Sequence, residues 1–432
     1  MKPSALRKGE GRFLERAGSM VERTTRQSSR KDLTDLADLS RAPILSFLQK
    51  QVQPRAPRPK AATLAPAATP PAGTFRWILE YSPRRLLKWL WEYFSHRLGR
   101  RHSFMSYDAS SPDNGIYSLE GDDDIRIALA GDWGTGTDEA AAVAELMTAF
   151  MPHYSIHLGD VYFVGDASEV DENFLGIKNP ANEYDPCLWP KGIKGSFALN
   201  GNHEMYARGI AYFDRMLPAL GLNSNGKPAR QKASYFCLQN DYWRIVALDT
   251  GYNSIGWPLI EYVLQPDCAL RPELIHWLRN VVQLQDDDTR GIVVLSHHEY
   301  YSAYDHWYPK PAKQLAQFIS RPVLWFWGHE HRMTIYNEFG VPGGIKAFGR
   351  CIGHGGMPVD LPPKKAKHSQ CRVEFVDHRI YENDERLKVG YNGFARMRLQ
   401  ANQLSIEYVD RYDAVIFSEA WKTEDGFLTR VR

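Results

Sequence analysis

From residue 125 onward the chain switches between two hydrophobic periods. IRIALA (125–130) is a short apolar run that ends in Gly131-Asp132. TDEAAAVAELMTAFM (137–151) has helical composition, with Thr137 as its N-cap. YSIHLGD (154–160), SFALNGNHE (196–204), ASYFCL (233–238), WRIVALDT (243–250), GIVVLSHH (291–298) and PVLWFWGHEH (322–331) predict strands. Helices are expected around 210–220, over 272–282 and over 312–319. The last hundred residues favour strands, in GGIKAF, CRVEFVD, FARMRLQ and QLSIEYV. Strands alternating with helices predict an α/β body with both sheet faces covered. No repeat of fixed period is visible.

Before residue 120 the pattern is different. Residues 1–50 are rich in Arg, Ser and Lys, and residues 53–73 hold six prolines among alanines. Such segments lack the apolar surface that offsets ordering entropy, so 1–74 is expected to be a disordered basic arm and linker. Residues 75–105 are expected to include a basic, Trp-rich amphipathic helix. After Pro83 its apolar positions Leu86, Leu87, Leu90, Phe94 and Leu98 fall at helical spacing, among Arg84, Arg85, Lys88 and Arg97. Two readings stand: a helix packed on the outside of the body, or one lying on an anionic membrane surface. The catalytic domain is expected over 120–432.

Charge sharpens this division. The chain of 432 residues has 53 Lys+Arg and 51 Asp+Glu, a formal net charge of +2. Residues 1–105 carry 21 basic and 8 acidic groups, net +13, so the remainder is net −11. Near-neutrality is the sum of a cationic arm and an acidic body. No base-reading motif accompanies the arm, and no specific nucleic-acid partner is expected. Composition is otherwise that of a globular protein, 43% hydrophobic and 24% charged. No apolar run reaches the roughly 18 residues of a membrane span. The cysteines Cys187, Cys237, Cys268, Cys351 and Cys371 are scattered, which excludes a disulfide scaffold and a thiolate zinc module. The N-terminus has no secretory pattern, so the expected location is cytoplasmic, or peripheral at a membrane.

The polar residues at the strand ends carry the chemistry. Five strands end in Asp, Asn or His, and ligands of open α/β sheets bind beyond the carboxyl ends of strands. Asp132, Asp160, Asn202, His203, His297, His298, His329 and His331 are thus candidates for one site. A mixed oxygen and nitrogen set suits Zn, Mn or Fe. The ligands are too many for one tetrahedral ion, and a carboxylate bridging two metals explains the excess. Two such ions polarise a phosphate ester and supply a hydroxide for in-line attack. A lone His is usually an ordinary core or surface group. That reading is kept for His153, His157, His276, His306, His354, His368 and His378.

The motifs Gly131-Asp132-Trp133-Gly134, Gly159-Asp160 through Gly165, Gly201-Asn202-His203-Glu204, Ser296-His297-His298 and Gly328-His329-Glu330-His331 resemble the metallophosphoesterase (calcineurin-like phosphoesterase) superfamily. The resemblance implies a four-layer α/β/β/α sandwich and a dinuclear centre. It assigns Asp132, Asp160 and His331 to the first metal, with Asp160 bridging. Asn202, His297 and His329 go to the second, and His203 becomes the catalytic histidine. Gly134 stands where most members have a histidine, and the resulting GDxG form is similar to purple acid phosphatases. Those proteins place a tyrosine three residues after the second motif's Asp, whereas here that position is Phe163 and the tyrosine is Tyr162. Three readings remain: the first metal lacks a side-chain ligand, uses water, or recruits Tyr162, which otherwise packs as an ordinary tyrosine.

His298, Arg208 and Arg350 are candidates for supporting or substrate-contacting positions. The loops 164–192 and 299–310 are candidates for shaping the cleft. The function expected is hydrolysis of phosphate mono- or diesters by a hydroxide held on two metal ions. The alternatives are a membrane-associated lipid phosphodiester hydrolase, motivated by the Trp-rich segment, and a tethered binding protein with a decayed site, motivated by Gly134.

Overall fold

The apolar runs assemble into two mixed sheets. In the computed structural model the described residues run from Gly99 to Val431, without 109, 111–112, 121–123, 181–184, 225, 256–265, 361–365 and 383–387. The expected arm and most of the expected Trp-rich helix lie outside the described residues. The described end of that segment, residues 99–105, forms no helix. It packs instead: His102 stacks on Phe213, and Phe104 stacks on Tyr235 and meets Tyr252 edge-on. Ile116–Ser118 forms a strand that precedes residue 120.

One sheet of nine strands runs, in spatial order, Phe427–Arg430, Val415–Glu424, Gln403–Asp410, Gly393–Gln400, Ile125–Ala130, Tyr154–His157, Gly195–Ala198, Gly221–Ser224 and Lys227–Pro228. The other, of eight, runs Ile116–Ser118, Phe236–Gln239, Trp243–Ala247, Gly291–Ser296, Val323–Trp327, Ala347–Ile352, Met333–Phe339 and Val373–Val376. Three neighbours in the first sheet are parallel, beginning at Ile125–Ala130, and four in the second, beginning at Trp243–Ala247. Parallel neighbours send their carboxyl ends to the same edge, which gathers the loops that follow them.

The period of two along each strand explains the layers. In Ile125–Ala130, Ile127 and Leu129 join a core shared by both sheets, while Ala128 and Ala130 face the helix Asp138–Ala149. In Gly291–Ser296, Val293 and Leu295 face that shared core, while Ile292 and Val294 join Leu274 and Trp277 of the helix Pro272–Asn280. Both faces of these strands are covered, so they read as unbroken apolar runs. The result is helix, sheet, sheet, helix: the α/β/β/α sandwich expected from the sequence.

Several local details depart from the sequence reading. Thr137 caps its helix as expected, its hydroxyl accepting from the Ala140 N–H at 3.2 Å. Residues 202–206 begin a short helix rather than prolonging a strand. The expected helix over 210–220 is a π-helical turn, Tyr212–Met216, followed by a 3₁₀ turn at Leu217–Ala219. Pro218 has no N–H to continue an α-helix. The loop 164–192 contains the helix Ala167–Asn173, capped by Asp166. No described helix is long and apolar enough to cross a membrane.

Candidate metal centre

Three of the strand ends use one local solution. Gly131-Asp132, Gly159-Asp160 and Gly328-His329 each place a glycine after the strand and the polar residue in left-handed backbone, at φ 57°, 72° and 63°. Few non-glycine residues adopt that conformation, and it concentrates at functional sites. Backbone bonds lock the three together. Asp132 N–H donates to the Gly159 carbonyl at 3.0 Å, and Gly328 N–H to the His297 carbonyl at 3.0 Å. The His329 N–H donates to Asp132 Oδ2 at 2.8 Å.

The side chains then converge. Asp160 Oδ2 lies 3.3 Å from His297 Nε2 and 3.8 Å from His203 Nε2. Asp132 Oδ1 lies 3.4 Å from His331 Nε2. Asn202 Oδ1 is 3.2 Å from His297 Nε2, which is also 3.2 Å from His329 Nδ1. Tyr206 accepts from Asn202 Nδ2 at 3.0 Å, and this turns the amide oxygen toward His297. Glycine makes room for this density: a Cβ at Gly201 would stand 2.0 Å from Asp160 Oδ1.

Tyr162 belongs to the same cluster. Its hydroxyl donates to Asp132 Oδ1 at 2.7 Å and reaches Asp160 Oδ2 at 3.2 Å and His331 Nε2 at 2.9 Å. It is therefore more than a packing tyrosine. Gly134 explains part of the placement. Its carbonyl accepts from the Tyr162 N–H at 2.9 Å, and a Cβ at Gly134 would meet the Val161 Cα at 2.9 Å. A histidine at 134 would not fit this pairing.

The donor set fits a cation. The His297 Nδ1–H donates to the Leu158 carbonyl at 3.0 Å, so in the neutral ring Nε2 carries a lone pair. That lone pair faces the acceptors Asn202 Oδ1 and Asp160 Oδ2, a repulsive arrangement unless a proton or a metal ion lies between, and His329 Nδ1 stands at the same distance as Asn202 Oδ1. Two nitrogens on one tetrahedral ion, each about 2.0–2.1 Å from it, stand roughly 3.3 Å apart. The His297–His329 separation has that size. A backbone carbonyl holding the far ring nitrogen is also how metal-binding histidines are usually oriented.

The electrostatics agree with this reading. Burial opposes the charged form of His297, but the Asp160 carboxylate outweighs it and raises the ring to about 9. Burial likewise opposes ionised Asp160, yet His297 and His203 hold it well below the usual carboxylate range. The pocket thus balances its negative charge by protonating an imidazole, and a cation would compete with that proton. Burial lowers His203, whose Nδ1 donates to the Phe163 carbonyl at 2.6 Å. Burial and the Asp160 charge push Glu204 up to about 8. Three backbone N–H donors, from Gly201, Val161 and Asp160, favour its carboxylate form against that.

Residues 125–333 match the family model of the calcineurin-like phosphoesterases. This domain belongs to the calcineurin-like phosphoesterases. Similar solved structures include an anchor protein of the Plasmodium inner membrane complex, at 15% identity over 70% of this chain and 89% of that chain, with a TM-score of 0.43. A purple acid phosphatase from yellow lupin (Lupinus luteus) seeds matches at 12% identity over 71% and 55%, with a TM-score of 0.43. A dimetal phosphatase from Danio rerio matches at 12% identity over 69% and 99%, with a TM-score of 0.38. The comparison with curated proteins found no match.

Within this phosphoesterase domain, eight of the residues picked from the sequence come together: Asp132, Asp160, Tyr162, Asn202, His203, His297, His329 and His331. His298 lies beside them, its ring 4.5 Å from His329 and its Nδ1 3.2 Å from Thr250 Oγ1. Arg208 is half-buried beyond the helix Asn202–Tyr206, where its carbonyl accepts from the His102 N–H. Arg350 is not at the site. It lies in the layer between the sheets and pairs with Glu419 through two 2.7 Å hydrogen bonds. Its strand parity explains this, since Phe348, Arg350 and Ile352 share one face of Ala347–Ile352, and Phe348 and Ile352 join the inter-sheet core.

Two contributors were not picked out from the sequence as site residues. Thr250, at the end of the run WRIVALDT, holds His298, and Glu204 ties three backbone amides together. Glu204 was visible inside Gly-Asn-His-Glu, but only its contacts give it a role. Of the histidines read as ordinary, His157 packs edge-on against Trp189 and Phe174, and burial lowers its ring to about 3.

Proposed function

We propose that the chain hydrolyses phosphate mono- or diesters with two metal ions, drawn from Mn, Fe and Zn. The observation that carries this is the convergence of two buried carboxylates, one amide oxygen and three imidazoles on one pocket, with His297 Nε2 facing the oxygens of both Asn202 and Asp160. Asp132, Asp160 and His331 hold the first ion, with the Tyr162 hydroxyl beside it. Asn202, His297 and His329 hold the second, and Asp160 is shared. Bound ions supply Lewis-acid polarisation of the ester and an activated water.

The chain's own groups do the rest. The His203 N–H donates to Asp160 Oδ1 at 3.0 Å and holds that carboxylate in place. Phe163 fixes the His203 ring through Nδ1, which leaves Nε2 to exchange a proton with the leaving oxygen. Tyr206 keeps the Asn202 oxygen turned inward. The Tyr162 hydroxyl, placed among Asp132, Asp160 and His331, supports a working first site rather than a decayed one. The membrane-surface reading rests on 75–105 and has no support among the described residues.

The test is hydrolysis of p-nitrophenyl phosphate and its bis-ester after reconstitution with Mn²⁺, Zn²⁺ or Fe. Asp160→Ala and Asn202→Ala are each expected to lose on the order of 10³-fold in rate and to bind less metal. Unchanged hydrolysis in both variants would sink the assignment.

A further inference from the structure

His298 stands against the second half of the centre without belonging to the ligand set above. One ring nitrogen each of His297, His298 and His329 lies within 4.8 Å of the others. The His298 ring is buried and packs on His329 at 4.5 Å and on Tyr308 at 5.1 Å. Geometry alone leaves open whether it offers the pocket a lone pair or a proton. Thr250 decides between them.

Thr250 Oγ1 accepts the His298 backbone N–H at 3.1 Å and lies 3.2 Å from the ring's Nδ1. Thr250 is 1% exposed, and its hydroxyl has no further partner among the described residues. The hydroxyl carries one proton of its own, and Nδ1 is the acceptor within reach. If Nδ1 were protonated, the oxygen would face two donors and its own buried proton would be left without an acceptor, which is costly. The satisfied arrangement has Thr250 donating to Nδ1. The proton of the neutral ring is then on Nε2, the nitrogen left for the pocket.

We propose that His298 is a substrate-contacting residue, donating Nε2–H to a phosphoryl oxygen of the ester, and that Thr250 is the positioning residue that keeps the proton there. The partner of that donor is an anionic oxygen, the group shared by phosphate esters and by the inorganic phosphate they release. This places one donor on the side of the second ion, while His203 serves the side of the bridging Asp160. The inference rests on the phosphoesterase reading but does not follow from it, since an equally buried histidine could instead have been a seventh ligand.

The experiment compares wild type with His298→Ala, His298→Gln, Thr250→Val and Thr250→Ser. It measures bound metal by elemental analysis, inhibition by inorganic phosphate, and kcat and KM for both nitrophenyl esters. His298→Ala is expected to keep the wild-type metal content and to weaken phosphate inhibition about 10- to 100-fold, the loss of one hydrogen bond to a charged group. His298→Gln, which keeps an N–H donor and most of the volume, should recover part of that loss. Thr250→Val should weaken phosphate inhibition about 3- to 10-fold, and Thr250→Ser should restore it.

Loss of a metal ion in His298→Ala would overturn the proposal in favour of a ligand role. Unchanged phosphate inhibition in both His298→Ala and Thr250→Val would overturn it outright. A wild-type protein that binds metal and hydrolyses either ester, alongside inert variants, would defeat this inference alone. A wild type that hydrolyses neither ester with any of the metals would defeat the phosphoesterase reading and this inference with it.

Discussion

Two clusters of buried charge lie in this domain, and they behave as opposites. Between the sheets, Arg350 and Glu419 are fully buried and fully matched. The guanidinium makes two 2.7 Å bonds to the carboxylate and a third to the Tyr336 carbonyl, and Tyr408 donates to the carboxylate at 2.8 Å. At the strand ends, Asp132, Asp160, Asn202, His297 and His331 are also buried and His329 is half-buried, but Asn202 Oδ1 and Asp160 Oδ2 both face the single Nε2 of His297. Burial of charge therefore does not mark a site. What distinguishes the pocket is a surplus of lone pairs with too few protons to share, and that surplus is what a cation satisfies.

Breaking the matched pair should cost stability alone. Arg350→Met strands the Glu419 carboxylate and is expected to lower unfolding free energy by about 3–5 kcal/mol, read by urea denaturation. Metal content and hydrolysis per folded molecule should not change. Pairing it with Glu419→Leu should recover most of the loss, because an apolar replacement leaves no charge behind. A stable Arg350→Met protein that had lost hydrolysis would abolish the distinction.

The pocket should respond the other way. Tyr162→Phe keeps the ring, which packs 4.3 Å from His203, but removes the hydroxyl from Asp132, Asp160 and His331. Hydrolysis is expected to fall roughly tenfold, the worth of about one hydrogen bond to a charged group, with little change in the melting temperature. A variant with full activity would return Tyr162 to simple packing. The smallest effect sharpens the contrast from outside both clusters. Thr137→Ala removes a helix cap and should cost about 1 kcal/mol, with no change in kinetics. A kinetic effect there would mean that the pocket senses the helix Asp138–Ala149.

Much of this was legible in the sequence because the signals are local. A strand that ends in Gly-Asp or Gly-His announces itself within six residues, and the central parallel strands of both sheets, such as Ile125–Ala130 and Gly291–Ser296, showed as unbroken apolar runs. What was illegible depended on distance along the chain. Arg350 was a candidate for contacting substrate, because its partner Glu419 lies 69 positions away on another strand. Tyr162 was ambiguous because it is offset by one residue from the related pattern. Only the pairing of Gly134 with Val161 shows how its hydroxyl reaches the carboxylates. Thr250 was invisible for the same reason: a threonine ending a strand has no special signal until His298 arrives beside it from 48 residues away. The segment around 210–220 is helical as its apolar spacing predicted, but its type, π then 3₁₀, was not legible.

The left-handed backbone at Asp132, Asp160 and His329 has a consequence for anyone who engineers this protein. A common route to a more heat-resistant enzyme is to put glycine wherever a side chain sits at positive φ, since each such exchange relieves local strain. Applied here without regard to chemistry, that recipe would select three of the proposed metal-facing residues along with seven other described positions. The products would be expected to fold at least as well as the parent and to do nothing. In this fold, a gain in melting temperature at those three positions is a warning.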